Sequence, residues 1–542
     1  MTLRLSQSLS FVMVAALAAG GILGCETTGG GSGQGSSGLP GVGTPDPDPS
    51  QPDPDPTGNP LCNAAPSCDA GITVDPDGPA LMITDPAVLA ELPLEKVVTQ
   101  LLQYQGVAWE PQELVQRLFD GMNDTKGGQF DDVFHCDSPD NPALFNKSGD
   151  TFTCPRAEGK LASSTGFFTE GDPDSFFPVA VVNRFDLTPI DGSKCGQYRI
   201  IYAKRSGLDD PNNRVFLIFE AALANPVPGC LEACRPVAEL WKGLEGKSTK
   251  DIATQVRTFF FAGIPGFRPA IHPQHFGLGV VDQGYGGTEP GQIRVSMHMQ
   301  DNWDMRELHF GMHPTLGTPL FVPASVKNNP VASYFGPNPD DTGMGESYRS
   351  QFLWNELLSL GAKDIKDVRM FTSPEFNGVE SLLGGEKKND YFANATSAGD
   401  MTFIDAMNEQ INAQGLNAGC PADDPLDAEA VIKRATAQSC AGCHAPKELI
   451  GEDRSIGCGL TWPDSIGQSH VTEKGERSPA LKEVFLPRRA DVLATFLKSC
   501  DPAAIQGNLQ PGGPGGGLEE GQKSQGGMAG GAARTLGGSS SH

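Results

Sequence analysis

Two cysteines and a histidine towards the C-terminus have the types and spacing to do chemistry: Cys440, Cys443 and His444. Two thiols separated by two residues can add to the two vinyl groups of one haem, and the histidine that follows can bind its iron as the proximal ligand. A Cys-x-x-Cys pair alone is ambiguous, because zinc sites and redox dithiols use the same spacing. The adjacent histidine favours haem, and the motif therefore predicts one covalently attached haem c.

Helical patterns flank this motif and must position it. Residues 426–435 predict a helix that runs into the motif, with Asp424 as a candidate N-cap before Pro425. Residues 490–498 predict a second helix, in which apolar side chains recur on one face. An ordinary hydrophobic core produces the same stripe, so the stripe by itself indicates no function.

The segment 416–503 resembles a small single-haem cytochrome c domain. In that family a helix leads into the Cys-x-x-Cys-His motif, a loop-rich middle follows, and a C-terminal helix packs across the first. The helix at 426–435, the motif and the helix at 490–498 match these parts in order, and Phe496 matches the aromatic residue that is usual in the last helix. The resemblance implies a small all-α haem domain.

The chain departs from this family at the second axial ligand of the iron, which is usually a downstream methionine. No methionine lies between residues 445 and 500, and the single histidine there is His470. We therefore predict His470 as the distal ligand, giving a bis-histidine iron with a lower reduction potential than histidine–methionine ligation gives. Two alternatives stay open. One is an open distal position, which suits small-molecule or peroxide chemistry, and the other is a ligand from the region that precedes residue 416.

That region, residues 61–415, is predicted to be α+β with an antiparallel sheet at its centre. Alternating or short apolar runs between turn residues indicate strands, and apolar residues at i, i+3 and i+4 indicate helices. The whole chain is thus predicted to be multidomain. Predicted strands lie at 177–182, 196–203, 214–221, 292–299, 306–310 and 319–323, and predicted helices at 94–102, 111–118, 236–244, 249–260 and 350–360.

No motif in the region 61–415 assigns it an activity. Residues 183–310 resemble a block in uncharacterised exported bacterial proteins, some of which resemble this chain through to the haem motif, but that resemblance implies no reaction. Several histidines could form a metal site with a carboxylate such as Glu307. Unrelated histidines, in loops or bonded to backbone carbonyls, are the competing interpretation, because no spacing matches a known site. The histidines are His272, His275, His298, His309 and His313.

The N-terminus carries the pattern of an export signal. Residues 1–24 combine a positive charge with a short apolar stretch, and Ile22-Leu23-Gly24-Cys25 resembles the lipobox of bacterial lipoproteins. The resemblance implies cleavage before Cys25 and acylation of that residue, which would anchor the protein to a membrane. Residues 25–60 are rich in Gly, Ser, Asp and Pro and predict an extended tether. The predicted location is the cell envelope, on the periplasmic side or the cell surface.

Cysteine usage and charge agree with that location. Thirteen cysteines are many for a cytosolic protein. With one assigned to lipid and two to haem, an even number is left for disulfides, and local pairs such as Cys62/Cys68 and Cys136/Cys154 are the simplest expectation. A formal net charge of −26 argues against nucleic acid as a partner. The glycine-rich tail at 504–542 is predicted to be disordered.

Three functions are compatible with these features. The first is electron transfer by a lipid-anchored, extracytoplasmic c-type cytochrome with a redox partner protein. The second is a haem-dependent oxidoreductase that has a substrate or metal site in residues 61–415. The third is a surface binding protein in which the haem is structural or sensory.

Overall fold

The computed structural model describes residues 71–499, except 140, 142–150, 190, 278–290, 300–301, 314–315, 338–342 and 384–388. The predicted signal peptide, lipidated Cys25, tether, Cys62/Cys68 pair and disordered tail lie outside the described residues. Their assignments therefore stay predictions.

One antiparallel sheet of eight strands is the centre of the described structure, which confirms the predicted α+β arrangement. Strands β1 to β7 are neighbours in chain order, and β8 pairs with β6. Each pair of neighbouring strands is antiparallel. The strands are β1 Met82–Ile83, β2 Phe176–Arg184, β3 Lys194–Lys204, β4 Asn213–Ala224, β5 Gln292–Met299, β6 Asn302–Met312, β7 Pro319–Ala324 and β8 Ser381–Leu383.

The helices begin where the sequence places prolines and caps. Pro86 opens α1 after Asp85, whose carboxylate accepts a hydrogen bond from the Ala87 backbone nitrogen at 2.9 Å. None of the helices in the described residues is both long and apolar enough to cross a membrane. The helices are α1 Pro86–Leu89, α2 Leu94–Gln105, α3 Pro111–Asp120, α4 Arg235–Lys242, α5 Thr249–Phe261, α6 Met344–Gln351, α7 Leu357–Leu360, α8 Tyr391–Ala395, α9 Thr402–Ala413, α10 Ala428–Gln438, α11 Cys440–His444, α12 Pro446–Leu449 and α13 Leu486–Lys498.

The two faces of the sheet have different partners, because alternate residues of a strand point to opposite sides. On one face, the ring of Tyr198 lies 5.5 Å from that of Trp241 in α4 and 4.8 Å from that of Phe259 in α5. On the other face, Arg199 and Ile201 of the same strand line a cavity whose opposite wall belongs to the C-terminal segment. The sheet is therefore covered by helices on one side and by the segment with the Cys-x-x-Cys-His motif on the other.

The C-terminal segment joins the rest of the fold through both of its longer helices. Helix α10 packs against α7, α8 and α9, and α13 packs against α4. The ring of Phe496 in α13 lies 4.6 Å from that of Phe185, just after β2. The predicted cap of α10 was wrong: Asp427 accepts from the Ala430 backbone nitrogen, whereas Asp424 accepts from that of Gly459. The start of the helix therefore moves from 426 to Ala428.

Three disulfides have both of their cysteines among the described residues. The predicted Cys136–Cys154 pair is confirmed. The two others, Cys195–Cys234 and Cys420–Cys458, join cysteines that are 39 and 38 residues apart in the chain. The second of them ties the residues before α10 to the loop after α12, and so fixes the entrance and exit of the segment that carries the motif.

Candidate functional site

The motif itself forms the short helix α11. The hydroxyl of Ser439 caps the helix by accepting a hydrogen bond from the Gly442 backbone nitrogen at 3.1 Å. Glycine is required at 442, because a Cβ there would meet the Thr436 carbonyl oxygen at 1.9 Å. Because Gly442 lies so close to α10, helix α11 packs directly against α10. The i, i+3 spacing puts Cys440 and Cys443 on one side of the turn.

Cys440 and Cys443 are both buried, and neither forms a disulfide. Every other cysteine in the described part of the chain is disulfide-bonded. Burial raises the pKa of the Cys443 thiol well above its ordinary value, and the neighbouring Cys440 adds to the shift. This pair is thus kept apart from the disulfide framework.

His444 is held in the state that a metal ligand needs. Its Nδ1 lies 2.9 Å from the Gln468 carbonyl oxygen, which can only accept, so Nδ1 carries the proton and Nε2 keeps its lone pair. Burial lowers the pKa of His444 to about 4, against the opposing effect of the Gln468 hydrogen bond, so the ring is neutral at physiological pH. The indole of Trp303 in β6 stacks on the ring, with centroids 4.9 Å apart.

A cavity adjoins the motif. One wall is the sheet face, with apolar side chains such as Ile201, Phe216 and Ile218, and the other includes Cys440 and His444. The cavity thus places an apolar surface opposite the Cys440 thiol and a neutral imidazole.

The ionisable side chains on the cavity wall are cationic or neutral. Arg199, Arg294 and Arg489 line it together with the two histidines, and no carboxylate of the described residues does. Behind the wall, Arg294 pairs with Glu307 at 2.7 Å and Arg199 with Glu220 at 3.1 Å. Apolar walls, the Cys440 thiol, a neutral histidine and a positively charged lining together fit a haem, which is a flat apolar macrocycle with two carboxylates.

His470 lines the same cavity on the side of the motif. Its Nε2 lies 3.1 Å from Cys443 Sγ, and its Nδ1 lies 3.0 Å from the Ser478 hydroxyl. The ring centroids of His470 and His444 are 4.7 Å apart. Two imidazoles that bind opposite sides of one metal through bonds of about 2 Å have centroids roughly 6 Å apart. Distal ligation by His470 therefore requires its ring to move, and stays a prediction.

The cavity is also lined by possible metal ligands from outside the C-terminal segment. Two methionines of the sheet, Met82 in β1 and Met305 in β6, line it. Both are buried, with 1% and 2% of their surface exposed. The structure thus brings three candidate distal ligands, one imidazole and two thioethers, to the pocket that contains His444.

The histidines of residues 61–415 have other partners. His275 Nδ1 lies 3.1 Å from the Ala270 carbonyl oxygen, and burial lowers the pKa of His275 to about 4. Glu307, the carboxylate considered for a metal site, is the partner of Arg294. Within the described residues, no group of three His, Cys, Asp or Glu side chains is close enough to hold a metal ion.

Sequence reasoning missed the sheet's part in this site. Trp303, Arg199 and Arg294 come from strands. The available signal was an arginine on the same strand face as apolar residues, such as Arg199 beside Ile201, but that pattern does not show which segment covers the face. Comparison with protein-family models, with curated proteins and with solved structures found no match to this chain. The geometry of the site is therefore the basis for assigning a function.

Proposed function

We propose that the protein is an extracytoplasmic c-type cytochrome that binds one haem and transfers electrons. Cys440 and Cys443 would form the thioether bonds to the haem, and His444 would be the proximal iron ligand. One observation carries the proposal: Cys440 and Cys443, which form no disulfide, lie on one helical turn beside a neutral histidine, and Cys440 and His444 line an apolar cavity. A bound haem supplies reversible one-electron exchange at its iron.

The chain's own residues then have definite tasks. Gln468 fixes the tautomer of the His444 ring and Trp303 restrains its orientation, which would leave the Nε2 lone pair available to the haem iron. The apolar sheet wall around Ile201 and Ile218 excludes water from the macrocycle. The arginines on the wall balance negative charge within the pocket.

The arrangement of the C-terminal helices supports a cytochrome c-like domain at 416–503. Helix α10 leads directly into α11 with the motif, a loop-rich stretch follows, and α13 ends the described chain. In this proposal the sheet supplies the second wall of the haem pocket. The cell-envelope location, the lipid anchor at Cys25 and a redox partner protein belong to the same proposal and rest on the sequence.

The test is whether the full chain carries covalent haem when it is exported by a host with a cytochrome c maturation system. We expect the denatured protein to carry the mass of one haem, and the pyridine haemochrome to show two thioether bonds. The variant Cys440→Ala/Cys443→Ala should lose the haem mass completely. The matched control Cys136→Ala/Cys154→Ala removes a confirmed disulfide and should retain it. Wild-type protein without covalent haem would refute the proposal.

A further inference from the structure

Three arginines surround one carboxylate at the edge of the cavity. Arg184 Nη2 lies 2.9 Å from Asp186 Oδ2, and Arg489 Nε lies 3.9 Å from Asp186 Oδ1. Arg199 is close enough to act on the charge of Asp186, and its ion pair is with Glu220. The exposed fractions of Arg184, Arg199 and Arg489 are 2%, 9% and 5%. We call these three side chains the arginine cluster.

The arginine cluster holds more positive charge than its nearby carboxylates neutralise. Burial lowers the pKa of Arg489 well below its ordinary value, and Arg184 lowers it further while Asp186 opposes the shift. Burial also lowers the pKa of Arg199 to about 9, although Glu220 raises it. A buried cation without a full complement of counter-charge is costly, so the site favours an additional anion.

Two guanidinium nitrogens in the cluster have unused hydrogen-bonding capacity. Arg184 Nη1 and Arg199 Nε are buried and have no hydrogen-bond partner among the described residues. Buried donors that lack an acceptor cost about 1–3 kcal/mol each, which is why native structures seldom keep them. An oxygen anion would satisfy these donors and the excess charge together.

The position of the cluster shows which anion can reach it. Arg199 and Arg489 line the cavity beside Cys440 and His444. Arg184 and Arg489 line a second cleft of about 570 Å³, which shares Phe485 and Arg489 with the first. The cluster is therefore the partition between the proposed haem pocket and a neighbouring cleft.

We propose that the arginine cluster is a carboxylate-binding site that holds the propionate groups of the haem, with Arg199 and Arg489 as contact residues. This inference rests on the proposed function. Arg184 holds Asp186 beside Arg489 and can offer its Nη1 to the same anion. Guanidinium groups suit this role, since they pair with carboxylates through parallel charge-assisted hydrogen bonds. A free carboxylate entering from the second cleft would use the same chemistry and is distinguished by the test.

The test compares two forms of one macrocycle on the full-length apoprotein with reduced thiols. Haemin has two free carboxylates, and haemin dimethyl ester has none. We expect wild-type protein to bind haemin roughly tenfold or more tightly than the ester, since tenfold corresponds to about 1.4 kcal/mol, less than one charge-assisted hydrogen bond. Arg199→Gln and Arg489→Gln should each reduce that preference, and Arg199→Lys or Arg489→Lys should restore part of it.

The matched control is Arg488→Gln. Arg488 directly precedes Arg489 in α13 and pairs with Asp367 at 3.4 Å. The control variant should leave the preference for haemin unchanged. Acetate should weaken the binding of haemin and leave that of the ester unaffected. Saturable acetate binding without competition would show that the cluster serves a free anion, and would overturn the inference.

The outcomes separate this inference from the proposed function. Equal binding of haemin and its ester by wild-type protein, or equal losses for both compounds in the arginine variants, overturns the role of the cluster and leaves haem attachment standing. If the apoprotein binds neither compound, the midpoint potential of the haem-loaded protein tests the inference. In that protein, Arg199→Gln and Arg489→Gln should lower the midpoint potential relative to Arg488→Gln, because a buried positive charge near the iron is lost. Identical potentials overturn the inference.

Discussion

The imidazole of His444 stacks on the indole of Trp303, with their ring planes inclined at 29°. Trp303 belongs to β6, where it is paired with His298 of β5 on one side and with Leu383 of β8 on the other. The proposed proximal ligand is therefore oriented by the sheet, although it belongs to the C-terminal segment. The sheet is therefore part of the proposed haem site, because Trp303 packs on one face of the His444 ring.

Replacing this indole should loosen the ligand ring. Trp303 is 2% exposed, and we expect Trp303→Ala to lower the free energy of unfolding by about 3–5 kcal/mol. In the haem-loaded ferric protein, the same change should shift the electron paramagnetic resonance g values, because the His444 ring can rotate. Trp303→Phe retains an aromatic face and should keep the g values near those of wild type. Identical spectra for all three proteins would remove Trp303 from the site.

The distal ligand can be identified by the spin state. We expect His470→Ala to convert a six-coordinate, low-spin haem into a high-spin one, because it removes the predicted distal imidazole. Met82→Leu and Met305→Leu keep the volume of the cavity wall and should leave the spectrum unchanged. Absorption spectra with and without carbon monoxide provide the measurement.

Two contrary results of this experiment are informative. A low-spin spectrum in His470→Ala, combined with a high-spin one in either methionine variant, assigns the ligand to the sheet. A high-spin wild-type spectrum that shifts with carbon monoxide or cyanide indicates an open distal position, and favours the haem-dependent oxidoreductase over electron transfer.

Arg434 connects the C-terminal segment to the helices before it. Its fully buried guanidinium donates to the carbonyl oxygens of Leu360, Ala362, Ile456 and Gly457 at 2.6 to 2.9 Å. We expect Arg434→Met to reduce the free energy of unfolding by about 3–5 kcal/mol, because these acceptors lose their donors inside the protein.

Urea denaturation measures this loss, and the neighbouring residue provides the control. Lys433 forms a partly exposed pair with Glu429 on the same helix, and Lys433→Met should change stability by less than about 0.5 kcal/mol. Equal losses in the two variants would contradict the anchoring role of Arg434.

Glu356 should make stability depend on pH. It is 2% exposed and accepts a hydrogen bond from the Phe371 backbone nitrogen, and burial raises its pKa from 4.5 to about 8. The folded state thus keeps a proton that the unfolded state releases. The contribution of the protonated Glu356 carboxyl to the free energy of unfolding is complete below pH 4.5. It falls as the pH rises towards 8, with a slope of up to about 1.4 kcal/mol per pH unit.

Glu356→Gln is neutral at every pH and should remove this part of the slope. Denaturation at a series of pH values between 4.5 and 8 tests it. Glu346→Gln, at an exposed position on α6, is the matched control and should keep the wild-type slope. If the free energy of unfolding depends on pH in the same way for wild type and Glu356→Gln, the carboxyl group is ionised in the folded protein.

The sheet could be predicted wherever its strands are apolar. The predicted strand at 292–299 is the observed β5, and the predicted strands at 177–182, 196–203 and 214–221 form the cores of β2, β3 and β4. The prediction for β6 was too short. Its first half contains Asp304, a residue type that is typical of loops. In the structure Asp304 is buried and forms an ion pair with Arg156.

The candidate site could be predicted only on the side where it is contiguous in sequence. Cys440, Cys443 and His444 follow from their spacing alone. Residues such as Trp303 and Arg199 could not be found, because their role depends on which face of the sheet the C-terminal segment covers. That choice depends on long-range packing, and a strand with alternating polar residues ordinarily indicates a face exposed to water.

The cavity combines walls made at opposite ends of the described chain, from Met82 to Arg489. Cys440 and Cys443 are buried once these walls meet. In the proposed exported cytochrome, the strands would reach the new compartment before the thiols. An enzyme that joins haem to these thiols would then have to act on an incompletely folded chain, before the pocket closes.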